Sequence, residues 1–333
     1  IYSEVEANIE ITGGTFTDCN KGGTSYTMYL ANGGIVNISG NTTSTTKYGL
    51  YADGKTDVNI SENIEFTNSW YSIYGRTNNK GPVNIEINGG KISNIYVGTN
   101  NSYKSTVNIR SGEIKSSDTI LGTDGVTVNI YDGVKIIASN NAIQNVSDIN
   151  IYGGTINGKI INPINSLNMI GGSITGKAYA IEINDQKSNV NITGGTVTAT
   201  NGPGIRIRKG TLTLGKDDEG YPSTTSPAIT GSTYGVQNDD GIFNFYDGIL
   251  TGYTYATNGT ISNMPKLFSA LYSSDGTIAI LGIQASFEQV AKVNGIYFDD
   301  LKSAIDAALK VNGTVELCKD FTIQEEIQLP EET

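Results

Sequence analysis

The residues best placed for chemistry in this chain are acids and arginines, because its 333 residues include no histidine. Glu182, Arg206, Arg208 and Asp239 fall in three successive copies of a repeated unit. An arginine beside carboxylates could act as a base in polysaccharide cleavage, and glycoside hydrolysis needs two acids several ångströms apart. A ladder of salt bridges explains the same residues equally well. Catalysis by these four residues is therefore the alternative interpretation.

A second set of candidates is a series of asparagines in a recurring phrase. The phrase is apolar residue, Asn, apolar residue and then a turn that often contains Gly, as in Val190–Asn191–Ile192. Asn side chains stacked in a column could hydrogen-bond to one another, each bond contributing about 0.5–1.5 kcal/mol. We expect a structural ladder, with a polar strip facing a glycan as the alternative, and Glu10 and Glu86 take the Asn position in two copies. The ladder residues are Asn37, Asn59, Asn108, Asn129, Asn150, Asn168, Asn191 and Asn244.

Tyrosines recur with the same period. Tyr29, Tyr51, Tyr74 and Tyr96 are 22, 23 and 22 residues apart, which predicts neighbours on one outer face. Flat rings exposed at intervals of about 5 Å could stack on the apolar faces of sugars. Alternatively, the rings stack on each other and stiffen the sheet. These four tyrosines are the candidate ligand-binding residues.

The acidic loop and the two cysteines are weaker signals. Asp217, Asp218 and Glu219 could hold calcium through carboxylate oxygens, although a solvated acidic loop is the simpler interpretation. No other cofactor is expected. Cys19 and Cys318 are too few for a disulfide scaffold, and a single long-range bridge between them stays open.

These columns require a fold that stacks each repeat on the one before. Ten steps separate Gly14 from Gly248, a distance of 234 residues, so the period is near 23. This period suits one coil of a β-solenoid and is too short for helical-pair or propeller repeats. Alternation sends Val and Ile inward, and Gly pairs supply the corners. The sequence therefore predicts an all-β fold over residues 1–265, a right-handed parallel β-helix with three strands per coil and about ten to eleven coils.

The pattern changes after residue 265. Residues 266–290 are irregular and apolar, and we expect a cap or linker there, with a hairpin-like form over the last coil. Residues 291–333 predict a small α/β module, with an amphipathic helix over 298–310 whose apolar residues include Leu309, and a strand near residue 316.

The module carries a resemblance to known proteins. Val293–Tyr297, leading into the helix, and Gly313–Leu317 resemble the entry module of a further β-helix in large surface proteins of Gram-positive bacteria. The coils before it resemble the pectin-lyase-like β-helices of the same proteins. The resemblance implies extracellular display and further β-helix units in the same protein. Polysaccharide lyases, hydrolases and adhesins share this fold, so the fold alone does not select among them.

Charge and hydropathy exclude other classes of function. The net charge is −11, from 22 basic and 33 acidic residues, which argues against nucleic acid or an anionic membrane as partner. No apolar run approaches the roughly 20 residues that a membrane helix needs. We therefore expect a non-catalytic extracellular β-helix segment, a stalk or adhesin that binds polysaccharide or host glycan along its Tyr and Asn face. The alternative is a polysaccharide lyase or glycoside hydrolase.

Overall fold

Parallel strands stacked one coil apart make up most of the molecule. The computed structural model describes residues 1–17, 25–78, 80–99, 103–216, 226–265, 268–283 and 290–318. It is a β-solenoid of about 10 turns with one short C-terminal helix, 57% strand and 4% helix, which confirms the all-β parallel β-helix. Each coil contributes a strand to each of three faces.

The first face carries the recurring Asn phrase, and we call it the asparagine face. Val190 and Ile192 are fully buried on it, while Asn191 between them points outward and is half-buried. This alternation is the two-residue period of a strand with one face in the core. Its strands are Ala7–Ile11, Gly34–Ile38, Thr56–Ile60, Val126–Ile130, Asp148–Ile151, Ser166–Met169, Asn189–Ile192, Thr211–Leu214 and Ile242–Phe245.

The second face follows the glycine corner. Gly172 and Gly195 turn the chain there with φ near +82°, a conformation that glycine adopts without steric cost. Strands Val83–Ile92 and Ser105–Ser116 run through the corner and belong to both faces. The other strands of the second face are Gly14–Phe16, Thr42–Ser44, Ile64–Phe66, Ser173–Gly176, Thr196–Ala199, Ala228–Gly231 and Ile249–Gly252.

The third face begins with the tyrosines, and we call it the tyrosine face. Strands Val134–Gln144 and Thr155–Ile161 belong to both the second and the third face. The other strands are Tyr2–Ser3, Tyr26–Leu30, Tyr48–Asp53, Tyr71–Arg76, Ile95–Gly98, Ile120–Leu121, Ile181–Ile183, Ile205–Ile207, Tyr234–Asn238 and Tyr255–Asn258. The inward side chains of all three faces form one continuous core that is mainly Ile, Val and Leu.

An antiparallel hairpin ends the stack, within the segment for which a hairpin-like cap was expected. Strands Phe268–Tyr272 and Ile278–Ile283 pair with each other, and the second pairs with Ile249–Gly252 through Leu250 and Ala279. Ala279 joins the solenoid core, whereas Ile280 on the same strand faces a second, smaller core. The hairpin therefore connects the coils to the C-terminal module.

The C-terminal module packs a helix on short antiparallel strands. The strands are Ala291–Val293, Ile296–Phe298 and Val315–Leu317, and the helix is Leu301–Val311. The helix starts later than the predicted 298, because the Asp300 carboxylate caps it by accepting a hydrogen bond from the Ser303 backbone N–H at 2.7 Å. The prediction for Leu309 was wrong, because this side chain is exposed. Ala308, which was also predicted, is buried together with Ala304, Ala307 and Val311.

Candidate functional site

The asparagine face carries a column of side chains in register, and most of them are hydrogen-bonded to a neighbour one coil away. Strand register pairs each ladder residue with the one a coil away, from Glu10 and Asn37 to Thr213 and Asn244. Seven of the amides in the column donate through Nδ2 to the residue in the coil before them. These bonds are Asn59 to Asn37 (2.9 Å), Asn108 to Glu86 (2.9 Å), Asn129 to Asn108 (2.8 Å), Asn150 to Asn129 (2.8 Å), Asn168 to Asn150 (3.1 Å), Asn191 to Asn168 (3.2 Å) and Asn244 to Thr213 (3.1 Å).

One member of the column was missed from the sequence. Asn263 forms an isolated parallel bridge with Asn244 and donates to its Oδ1 at 2.7 Å. Its step of 19 residues is shorter than the mean period, which hid it among the other repeats. From Glu86 to Asn191 the bonds form an unbroken chain along the axis of the solenoid.

The predicted tyrosines also stack along the axis. Ring centroids lie 4.9 Å apart for Tyr29–Tyr51, 4.8 Å for Tyr51–Tyr74 and 4.7 Å for Tyr74–Tyr96, with interplanar angles of 26°, 24° and 14°. Tyr2 extends the stack at 5.2 Å from Tyr29. These are offset-stacked distances, so each inner ring has a neighbouring ring on both faces.

A second tyrosine stack lies beside the first and was not predicted. Tyr26 and Tyr48 stack at 4.9 Å, and Tyr48 and Tyr71 at 6.2 Å. Contacts between the two stacks, such as Tyr48 edge-on to Tyr51 at 5.8 Å, leave Tyr51 only 9% exposed. The ring faces contact other rings, as the stacking interpretation expects, and Tyr29, Tyr74 and Tyr96 are half-buried. A sugar bound at these tyrosines would meet their edges.

Burial of this cluster makes the protein sensitive to alkaline pH. Burial raises the pKa of Tyr51 well above its usual value near 10, although the Arg76 guanidinium opposes the shift. Above pH about 10 the unfolded chain releases this proton while the folded chain retains it, so the free energy of unfolding falls as pH rises. We expect Tyr51→Phe to make this fall shallower, measured by urea unfolding at pH about 9 and about 11. If the free energy of unfolding fell by the same amount between these two pH values in Tyr51→Phe and in wild type, the burial argument would be contradicted.

The four charged candidates do come together, as two crossed ion pairs. Register aligns Glu182 with Arg206 and Gln237 in consecutive coils. Arg206 pairs with Asp239 at 2.9 Å, and Arg208 pairs with Glu182 at 2.5 Å. Glu182 is only 5% exposed. Each carboxylate is therefore bonded to an arginine from a neighbouring coil.

The electrostatics of this cluster favour fixed charges over proton transfer. The hydrogen bond to Glu182 raises the pKa of the Arg208 guanidinium, which works against its use as a base. Burial opposes the ionisation of Asp239, yet hydrogen bonds from Gln237 and Arg206 prevail and lower the pKa of its carboxyl. The Gln237 bond, from Nε2 to Oδ1, is 2.7 Å. The shifts of Arg208 and Asp239 both favour the charged forms of these two groups.

The other candidates fall outside this geometry. Asp217, Asp218, Glu219 and Cys19 lie outside the described residues, and Cys318 is an exposed free thiol. Among the described residues, no group of three or more His, Cys, Asp or Glu side chains is arranged to hold a metal ion. No helix in the described ranges has both the length and the hydrophobicity to cross a membrane. Comparison with protein-family models, curated proteins and solved structures finds no match to this chain.

Proposed function

We propose that this chain is a non-catalytic segment of an extracellular surface protein, a stiff stalk or adhesin. The observation that carries the proposal is that polar and aromatic side chains on two outer faces contact their equivalents one coil away. The Asn129, Asn150 and Asn168 amides are linked by hydrogen bonds, and the inner tyrosines by ring stacking. Side chains used in this way hold successive coils together. Their contacts run along the solenoid axis, which is the direction of the load on a stalk.

The resemblance of the coils and of the C-terminal module supports a proposal about the larger protein. We propose a pectin-lyase-like β-helix from a Gram-positive bacterium, displayed on the cell surface and followed by further β-helix units. Its proposed partners are polysaccharides or host glycans. The acidic net charge of −11 supports a partner other than nucleic acid.

The alternative, a lyase or glycoside hydrolase, would use Glu182, Arg206, Arg208 and Asp239. Glycoside hydrolysis needs one carboxylate that is a proton donor and one that is free to act as base or nucleophile. Here Glu182 is buried against Arg208, and Asp239 accepts hydrogen bonds from Arg206 and Gln237. These contacts support a structural role for the cluster.

A cleavage assay separates the two functions. The chain is incubated with a panel of neutral and acidic polysaccharides, and the release of reducing and unsaturated ends is measured. The proposal predicts no release above a blank without protein. Release by the wild-type chain that is lost in both Glu182→Gln and Arg206→Ala would overturn the proposal and establish the enzyme.

A further inference from the structure

A groove of about 870 Å³ lies where the second face turns toward the third in the last coils. Its sides come from the ends of strands Thr196–Ala199, Ala228–Gly231 and Ile249–Gly252, and the turn of the C-terminal hairpin closes it. The volume is within the range of small-molecule binding sites, about 300–1,000 Å³. None of the candidate residues from the sequence lines it.

One exposed aromatic ring at this groove stacks on no other described ring. Tyr253 is 88% exposed, and it stacks on no other aromatic ring of the described residues. This is the opposite of Tyr51 and Tyr74, whose faces contact other rings. An exposed tyrosine offers a flat apolar face and a polar edge, which suits the apolar face of a sugar ring.

Hydroxyl groups without protein partners line the same groove. The side chains of Thr230, Ser232, Thr251 and Thr254 make no hydrogen bond to another described residue. Thr230 and Thr251 are register partners in adjacent coils, so their hydroxyls repeat at the coil spacing of about 4.8 Å. Hydroxyl groups at this spacing can exchange hydrogen bonds with the hydroxyl groups of a sugar chain.

The hairpin turn adds a fixed negative charge. Asp275 Oδ1 accepts hydrogen bonds from Ser273 Oγ at 2.6 Å, Thr277 N at 3.0 Å and Thr277 Oγ1 at 2.7 Å. These bonds lower the pKa of the carboxyl to about 2, so it is ionised at neutral pH. All three fall on Oδ1, which leaves Oδ2 for a ligand. Asp275 is the one charged residue among the described residues lining the groove, so the groove disfavours uronates and sulfated sugars.

We propose that this groove binds a neutral oligosaccharide, with Tyr253 stacked on a sugar ring and Asp275 and the four hydroxyls bonded to sugar hydroxyl groups. The inference deepens the proposed function, since it gives the stalk or adhesin a glycan site and places that site at the hairpin end of the coils. The tyrosine face then serves to hold the coils together.

The test is a glycan array probed with the whole chain and two groove variants. The array carries neutral glucans, mannans, galactans and xylans beside polygalacturonate and sulfated glycans. We expect binding to a neutral oligosaccharide, weakened at least tenfold by Tyr253→Ala and by Asp275→Asn when the best hit is titrated by calorimetry. Asn retains Oδ1 for Thr277 and replaces only the ligand-facing oxygen. Tyr152→Ala, at an exposed tyrosine on another corner whose ring stacks on Tyr131, is the control and should bind as wild type.

The outcomes are distinct from those of the cleavage assay. Absence of binding, a preference for anionic glycans, or equal affinity in Tyr253→Ala would overturn the groove while leaving the non-catalytic stalk intact. Binding to an extended peptide with no glycan hit would overturn it as well. Release of sugar ends would instead overturn the proposed function, whatever the groove binds.

Discussion

Replacing Gly172 by alanine is expected to destabilise the solenoid by about 2–5 kcal/mol. The φ of Gly172 is +82°, where a Cβ costs about 1–2 kcal/mol. A Cβ there would also lie 2.7 Å from the carbonyl carbon and oxygen of Gly153, in the coil before it. Backbone cannot move aside as a flexible side chain can, and overpacking of this kind costs about 1–3 kcal/mol more.

Gly133 is the matched control for this substitution. It occupies the same corner position with φ of +83°, but a Cβ there has no heavy atom within 4 Å. Gly133→Ala should therefore cost only the backbone term, about 1–2 kcal/mol. Urea unfolding measures both variants, and hydrogen exchange localises the loss to coils around residues 153–172. Equal destabilisation by the two substitutions would contradict the close coil-to-coil contact at Gly172.

The second large expected effect is a loss of stability when Arg208 is removed. Arg208→Ala leaves the Glu182 carboxylate buried without its guanidinium, and breaking a buried pair in this way costs about 3–5 kcal/mol. Because the Arg208 side chain is itself 42% exposed, we expect a smaller loss, about 2 kcal/mol. If Glu182 were instead a catalytic acid in an accessible site, losing Arg208 would change activity more than stability.

The Arg110–Glu86 pair has the same geometry but is more exposed to solvent. Arg110, like Arg208, lies two residues beyond the register partner of its glutamate, and its side chain and that of Glu86 are 49% and 25% exposed. Arg110→Ala should cost at most about 1 kcal/mol, including its contact with the Tyr131 ring. Thermal and urea unfolding of the two variants give the comparison, and a larger loss in Arg110→Ala would contradict the role assigned to burial.

The sequence predicted the register between coils well, because the alternation of apolar and polar residues determines it. Apolar residues on either side of each ladder Asn can be buried in only one register, since a shift of one residue would turn them to solvent. The positions of Asn129, Asn150 and Asn168 in one column follow directly. The same period placed Tyr51 and Tyr74 in one column, but it did not fix the direction of their rings.

The parts that the sequence did not predict depend on contacts outside the repeat. The Tyr48 stack lies three residues from the Tyr51 stack, so strand alternation does not place the two side by side. The hairpin pairs antiparallel with Leu250, a geometry that no coil before it uses. The groove near Tyr253 exists only because that hairpin turn brings Asp275 to the end of the coils. Its residues come from separate segments with no common motif.

The central claim, that axial ladders hold the coils together under load, is tested by pulling the chain by its two ends in a single-molecule force experiment. Coils of about 23 residues should detach stepwise, each releasing about 80 Å of chain. Asn150→Ala with Asn168→Ala removes three ladder hydrogen bonds, whereas Asn157→Ala with Thr175→Ala alters register partners on the second face of the same coils. We predict a lower detachment force for the ladder variant alone. Equal forces in wild type and ladder variant would contradict the claim.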